Sequence, residues 1–381
     1  MLPYLSVEYG NPSGAHRRAR AARKAIDDAR EVVAMALGAA PSDIVFTSGG
    51  TESDNLAVLG VHDRLGGTLV CSAIEHHAVL EPVLSRSGQI VPVHPSGVVD
   101  LGALESILDA GSVTGSAQHG VSAVSVMLVN NETGLVQPVD EVASIVHRLA
   151  PGALVHTDAV QAAPSLDVSA QAADADLVSI SAHKFGGPKG VGALVVRPAA
   201  ATALAARAVG GGQERERRGG THNVAGIVAM AEALRITVER RDAANRQVGK
   251  LRDRLEAGLV AAVAGTILTC AGGRGTPAMC GTDRAGPRRS AGHCHVCFEG
   301  VESEALQYLL EEHGVYASAG SSCASGAMEP SHVLTAMGVP RSLAFGSVRF
   351  SLGYSSTESD VVRALEVVAP AVEQLRAAAS P

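Results

Sequence analysis

The stretch 154-LVHTDAVQAAPSLDVSAQAADADLVSISAHKFGGPKGVGALVV-196 decides the fold. Three short apolar runs, Leu154 to His156, Leu177 to Ile180 and Gly192 to Val196, stand between polar or small-residue segments. Each run is short and mainly apolar, the texture of a strand in a chain where strands alternate with helices. The same texture extends outward, with further strands expected at Ile44 to Thr47, Thr68 to Cys71, Ile90 to Val93 and Ala123 to Val129. Helical spacing covers Ser13 to Leu37, Glu52 to Arg64, Val139 to Leu149 and Asn223 to Leu255. Strands alternating with helices predict an α/β layer structure built on one broad, largely parallel sheet of seven strands.

After about residue 260 the texture changes. A segment rich in Gly, Pro and Arg, 271-AGGRGTPAMCGTDRAGPRRSAG-292, reads as a loop before the strand-like 293-HCHVCF-298 and the helical 302-ESEALQYLLEEH-313. The chain therefore divides into a large domain over 1–242 and a smaller α+β domain over 243–381, with the last long helix spanning the change.

Composition narrows the function. Hydrophobic residues make up 46% of the 381 and charged residues 18%, enough apolar material for a large core. The formal net charge of −7 argues against a direct nucleic-acid partner or a polybasic membrane anchor, since both need excess basic residues. No secretory pattern opens the chain, no apolar run is long enough to span a bilayer, and six cysteines in so long a chain fit reduced thiols. A cytoplasmic protein is expected.

Five stretches can carry chemistry. In 181-SAHKFGGPKG-190, Lys184 follows a strand, where an amine can act as a Schiff-base nucleophile. Asp158 ends the strand in 153-ALVHTDAVQ-161, at the carboxyl edge where α/β sheets gather ligands, and an aspartate there suits a pyridinium nitrogen. The strand, Gly-Gly turn and helix of 46-FTSGGTESDN-55 make an anion site from backbone N–H groups and a Thr hydroxyl. Cys323 sits among small residues in 317-ASAGSSCASGAMEPSHVL-334, the setting of an exposed, reactive thiol. Arg349 lies inside the apolar strand 347-SVRFSLG-353, where a guanidinium needs a carboxylate partner from the protein or a substrate. Read singly, each has an ordinary alternative: a solvated lysine, a helix cap, a turn, a loop thiol, an internal ion pair.

Together, and in this order, these stretches resemble the cysteine desulfurases, the NifS/IscS-like branch of the class-V aminotransferase family of fold-type-I pyridoxal phosphate (PLP) enzymes. The resemblance also rests on 9-YGNPSGAH-16, 75-EHHAVLEP-82, 129-VNNETGLVQP-138 and 210-GGGQERERRGGTHNVAGIV-228, and it covers nearly the whole chain. It implies that Lys184 holds PLP, that His76 stacks on the ring and assists proton transfer, and that Asp158 pairs with the ring nitrogen. Gln161 and Asn131 would lie near the ring's phenolic oxygen and the substrate. Gly50, Thr51, Ser181 and His183 would bind the phosphate, with Thr221 reaching in from the other subunit of a homodimer. Arg349 would hold the carboxylate of L-cysteine. Cys323 would take the sulfur as a persulfide and pass it to a protein acceptor, as in iron–sulfur cluster assembly, leaving alanine.

Three features depart from the pattern. The family carries a Tyr-Leu-Asp-x-x-Ala-Thr-Thr-Pro stretch ahead of its Gly-Asn-Pro motif, and such a stretch is expected upstream of Met1. Where relatives have Arg-x-Pro-Asn, this chain has 289-RSAG-292. Cys294 and Cys297, with Cys280 upstream, have zinc-like spacing, but strand periodicity puts 294 and 297 on opposite faces, so no metal is expected. Two other readings stay open at this point: a selenocysteine lyase or other class-V aminotransferase-like enzyme, and a non-catalytic scaffold.

Overall fold

The structure is a computed structural model that describes residues 1–113, 120–270, 288–319 and 329–379. The described residues form two compact units. The first comprises Met1–Val91, Asp100–Val129 and Pro138–Arg241; the second comprises Pro92–Val99, Asn130–Gln137 and Asp242–Pro381.

Seven strands build the first unit: β1 (Ile44–Thr47), β2 (Thr68–Ser72), β3 (Gln89–Val91), β4 (Val121–Ser125), β5 (Leu154–Asp158), β6 (Leu177–Ser181) and β7 (Gly192–Val196). Their order across the sheet is β1-β7-β6-β5-β4-β2-β3. Neighbours from β6 to β3 pair parallel, and β7 pairs antiparallel with both β6 and β1, so six strands run one way. Burial is continuous along β1, β5, β6 and β7, as both-faced covering demands. The helices of this unit are α1 (Leu2–Leu5), α2 (Arg17–Ala36), α3 (Gly50–Leu65), α4 (His77–Ser85), α5 (Leu101–Val113), α6 (Val139–Leu149), α7 (Val168–Gln171) and the first part of α8 (Val224–Ala262). Because these six strands end on the same edge, the turns that follow β1, β2, β4, β5 and β6 all leave the sheet on that side.

The second unit holds a four-stranded antiparallel sheet in the order β10-β11-β9-β8, from β8 (Thr266–Leu268), β9 (His293–Phe298), β10 (Ser318–Ala319) and β11 (Ser347–Ser351). With it lie the rest of α8, α9 (Ser303–Glu312), α10 (His332–Ala336), α11 (Arg341–Ala344) and α12 (Glu358–Ala379). Alternation sorts the residues of this sheet. Cys294, Val296, Phe298, Val348 and Phe350 enter a core with Leu255, Leu259, Leu306, Leu310, Val368 and Val372. The opposite face carries His293, His295, Cys297, Ser347, Arg349 and Ser351, with His295 directly across from Arg349. Cys294 and Cys297 thus lie on opposite faces of β9.

Candidate active site

In the first unit the site begins where β1 gives way to α3. Thr47 Oγ1 and Ser53 Oγ hydrogen-bond at 2.7 Å, and Thr47 Oγ1 donates to the Gly49 carbonyl at 3.1 Å, which folds the turn tightly. Gly49 is the N-cap of this 16-residue helix and supplies no side-chain cap, so first-turn N–H groups remain for an anion. A Cβ on Gly50 would stand 2.8 Å from Val160 Cγ2 and 3.6 Å from Ser181 Cβ, which places this turn against the ends of β5 and β6.

Asp158 is the last residue of β5, with Oδ1 accepting from Val160 N–H at 2.8 Å. Burial pushes its carboxyl up to about 6, against the pull of that N–H and of the Lys184 charge. Lys184 is exposed in a single helical turn, Ala182–Phe185, which follows β6 and closes on Gly186 in the left-handed region at φ 83°. Ser181 Oγ and His183 Nδ1 lie 2.9 Å apart, and burial lowers the His183 pKa, with Lys184 and Lys189 adding to the effect. His76 is an exposed side chain that caps α4, its Nδ1 accepting from Ala78 N–H at 3.0 Å. Gln161 is half-buried three residues beyond Asp158. Thr221 is exposed in the loop before α8, beside His222, whose Nε2 bonds Glu214 Oε1 at 2.6 Å.

Sequence reasoning missed a buried polar layer behind Asp158. His156, two residues earlier and on the same face of β5, is bracketed by Ser125 Oγ at 2.8 Å and Ser179 Oγ at 3.0 Å. Burial drives its pKa down to about 3, so the imidazole is neutral. Asp54, on α3, has a side-chain hydrogen bond with Ser179, while its Oδ1 has no hydrogen-bond partner among the described residues and lies 3.6 Å from His156 Nε2. Burial, with the charges of Asp158 and Glu75, raises the Asp54 pKa well above the carboxylate range. Glu75 accepts from Ser72 Oγ at 2.6 Å and Met127 N–H at 2.8 Å, and burial pushes it up to about 8. Three buried carboxyls therefore share this region, and the cation nearest in effect is Lys184. A ligand bringing a cationic ring nitrogen and a phosphate would satisfy both the Asp158 carboxyl and the uncapped start of α3.

The second unit carries the other group. Arg349 is half-buried; its Nη1 donates to the Asn131 carbonyl at 2.6 Å, Nη2 to Ser318 Oγ at 3.2 Å and Nε to Ser351 Oγ at 3.1 Å. These acceptors are neutral, and a guanidinium has five N–H groups, so donors remain for a carboxylate. Asn131 lies in a turn fixed by Asn130 Oδ1, which accepts from Glu132 N–H, Thr133 N–H and Thr133 Oγ1 at 2.9–3.0 Å. Cys323 and Cys280 lie outside the described residues. Cys71, Cys270, Cys294 and Cys297 are all buried, and burial raises the thiol pKa of Cys71, Cys294 and Cys297, which disqualifies these three as thiolate nucleophiles.

Residues 1–364 match the family described as Aminotransferase class-V. The chain is 40% identical over 385 residues to the cysteine desulfurase IscS of Methanosarcina thermophila, covering 99% of this chain and 88% of that one. It is 40% identical over 382 residues to the IscS-like cysteine desulfurase of Mycobacterium tuberculosis, covering 97% and 91%. A solved NifS-like protein superimposes with a TM-score of 0.84 at 35% identity, over 98% of this chain and 93% of its own.

Proposed function

Because the chain belongs to the class-V aminotransferase family and, within it, to the cysteine desulfurases, we propose that it converts L-cysteine to L-alanine and passes the sulfur, as a persulfide, to an acceptor protein. The observation that carries the reading is 40% identity over nearly the full chain, together with Asp158 at the end of β5 and Lys184 in the turn that follows the neighbouring parallel strand β6. The enzyme depends on PLP. When bound, PLP supplies an electron sink for the carbanion that forms at the amino acid's α-carbon.

The chain's own residues divide the remaining work. Lys184 holds the cofactor through its amine, and Asp158 keeps the ring nitrogen protonated, an ionic task for which a buried carboxyl otherwise near 6 is poised. Gly50, Thr51, Ser181 and His183 take the phosphate, with Thr221 coming from a second copy in a homodimer. His76 stacks on the ring and moves a proton through its imidazole. Gln161 and Asn131 orient ring and substrate, and Arg349 takes the substrate carboxylate. Cys323 attacks the substrate sulfur as a thiolate. The Cβ–Sγ bond breaks, sulfur stays on Cys323, and the released electron pair and a proton leave with the three-carbon fragment as alanine. We place the enzyme in the cytoplasm with no direct nucleic-acid partner, in keeping with its net charge of −7 and with no described helix long and apolar enough to cross a membrane.

The test is the visible spectrum of the purified protein, followed by addition of L-cysteine with assay of alanine and sulfide. Lys184→Ala should lose the bound-cofactor absorbance and all turnover. Cys323→Ser should keep the colour and lose sulfur transfer; sulfide release by this variant at the wild-type rate would remove Cys323 from its role.

A further inference from the structure

One buried acid beside Arg349 has no part in the reaction above. Glu132 follows Asn131 in the 130–134 turn and is 3% exposed. Its Oε2 accepts from Ser331 Oγ at 2.5 Å. Ser331 is the N-cap of α10, its Oγ in turn accepting from Val333 N–H at 3.1 Å and Leu334 N–H at 3.3 Å. The residue before Glu132 gives its carbonyl to Arg349 Nη1. Two adjacent residues therefore hold two separate elements: Asn131 steadies the guanidinium through its backbone, and Glu132 steadies the start of α10 through its side chain. The Asn130 side chain bonds the Glu132 and Thr133 N–H groups, so the turn resists reorientation. Gly134 completes it at φ 74°, packed so closely on His293 that a Cβ would stand 2.5 Å from the His293 Cβ. Among the charges that act on Arg349, Glu132 is the acid that stabilises the guanidinium.

We propose that Glu132 is a positioning residue for Arg349, and that its charge state sets how strongly that guanidinium holds the carboxylate of the substrate. The proposal rests on Arg349 being the substrate clamp. An ionised Glu132 competes with the incoming carboxylate for the field of Arg349, whereas a protonated Glu132 leaves that field to the substrate.

The surroundings permit the switch. Burial pushes the Glu132 carboxyl up to about 7, with the Ser331 hydrogen bond and the Arg349 charge pulling the other way. On β9, burial holds the His295 pKa down to about 3, with Arg349 adding to the effect, and holds Cys297 up to about 12; both stay neutral from pH 5.5 to 8.5. His293 shares that face and is bonded to Ser290. Near α10, Glu329 is exposed and paired with Arg341 at 2.9 Å, and His332 opens the helix. The sign follows: clamp strength is greatest below pH 6 and falls as pH rises through about 7.

The experiment measures the dissociation constant of L-alanine, which shares the substrate's carboxylate and lacks its thiol, from the PLP-loaded wild type and from Glu132→Gln between pH 5.5 and 8.5. Gln keeps an acceptor for Ser331 and copies the protonated form. The ratio of wild-type to variant constants should be near one at pH 5.5 and reach roughly fivefold at pH 8.5, the size of a partly screened charge pair. A ratio that is the same at both ends would overturn the proposal, since a merely structural role shifts affinity evenly. Ser331→Ala gives a second reading: without its hydrogen bond to the ionised carboxylate, the midpoint of the wild-type pH dependence should move to higher pH, and an unmoved midpoint would count against the proposal. Turnover of L-cysteine by the wild type is assayed alongside. A flat ratio in an enzyme that makes alanine overturns this proposal alone, whereas an enzyme that makes none overturns the functional reading and the proposal with it.

Discussion

Gly50 is the residue at which the backbone must come closer than a side chain allows. Its absent Cβ would lie 2.8 Å from Val160 Cγ2, in the turn that accepts from Val160 N–H at Asp158. Replacing a helical glycine by alanine normally stabilises a helix by about 1 kcal/mol, so Gly50→Ala separates helix propensity from ligand fit. The variant should fold with little change in melting temperature yet bind PLP roughly tenfold more weakly, because α3 must retreat from Val160 and take its first-turn N–H groups with it. Equilibrium dialysis of PLP against wild type and variant checks this, and an unchanged affinity would mean that the start of α3 does not hold the phosphate. The Gly-Gly turn is legible in the sequence as an anion site; the contact with Val160, more than a hundred residues away, is not.

At the scale of elements, the loop between β7 and α8 is held against its own backbone preference. Glu214, Arg215 and Glu216 take φ values of 47°, 58° and 64°, a left-handed run that costs non-glycine residues about 1–2 kcal/mol each. What sustains it is the Glu214 carboxylate, which accepts from Arg30 Nη1 and Nη2 at 2.9 and 2.7 Å, from Phe46 N–H at 3.0 Å and from His222. Burial pushes its pKa up, but His222, Arg30 and Phe46 outweigh that and bring it down to about 2. A depressed carboxyl contributes stability that is present above its unfolded pKa of about 4.3 and lost as pH falls toward 2. Glu214→Ala leaves Arg30 buried without its partner and should cost about 3–5 kcal/mol at pH 7, read as a lower urea midpoint, with proteolytic nicking of the 210–222 loop appearing first. Such long-range partners are invisible in a linear reading. The strands were legible because two-faced burial writes them as unbroken apolar runs: β1 and β7 fall on Ile44–Thr47 and Gly192–Val196 as expected. The run Ala123 to Val129 narrows to β4 at Val121–Ser125, although Val126 N–H and Leu128 N–H still bond the His156 and Asp158 carbonyls, so the apolar pattern follows the sheet's continuation past the regular strand. Helix α2 starts at Arg17, four residues later than Ser13, because the His16 ring caps it by accepting from Ala19 N–H. Helix α4 gives little signal, with Pro82 inside it, and nothing in composition marks Pro92–Val99 and Asn130–Gln137 as parts of the second unit.

At the scale of the whole molecule, the protein spends much of its buried polar capacity on groups kept out of their ordinary charge states. Asp54, Glu75, Asp158 and Glu132 are carboxyls whose pKa burial raises, while His156 and His295 are imidazoles whose pKa burial lowers. Each raised carboxyl binds its proton more tightly folded than unfolded, so it contributes stability that is complete below about pH 4 and lost as pH rises through the folded value. The two imidazoles act the other way, and only below their unfolded value of about 6.5. Between pH 6.5 and 8 two of the carboxyls titrate in the fold: Glu132 releases its proton near 7 and Glu75 near 8. The cofactor-free protein should therefore lose stability across this interval, by about 1.4 kcal/mol per pH unit for each proton that the folded state holds in excess. Urea unfolding at pH 6.5 and 8 reads the loss as a falling midpoint at constant slope. Glu75→Gln, which cannot titrate, should remove part of the fall and so gain on the wild type as pH rises; parallel midpoints for the two proteins would mean that Glu75 is already ionised in the fold and that a cation, rather than a proton, balances it there.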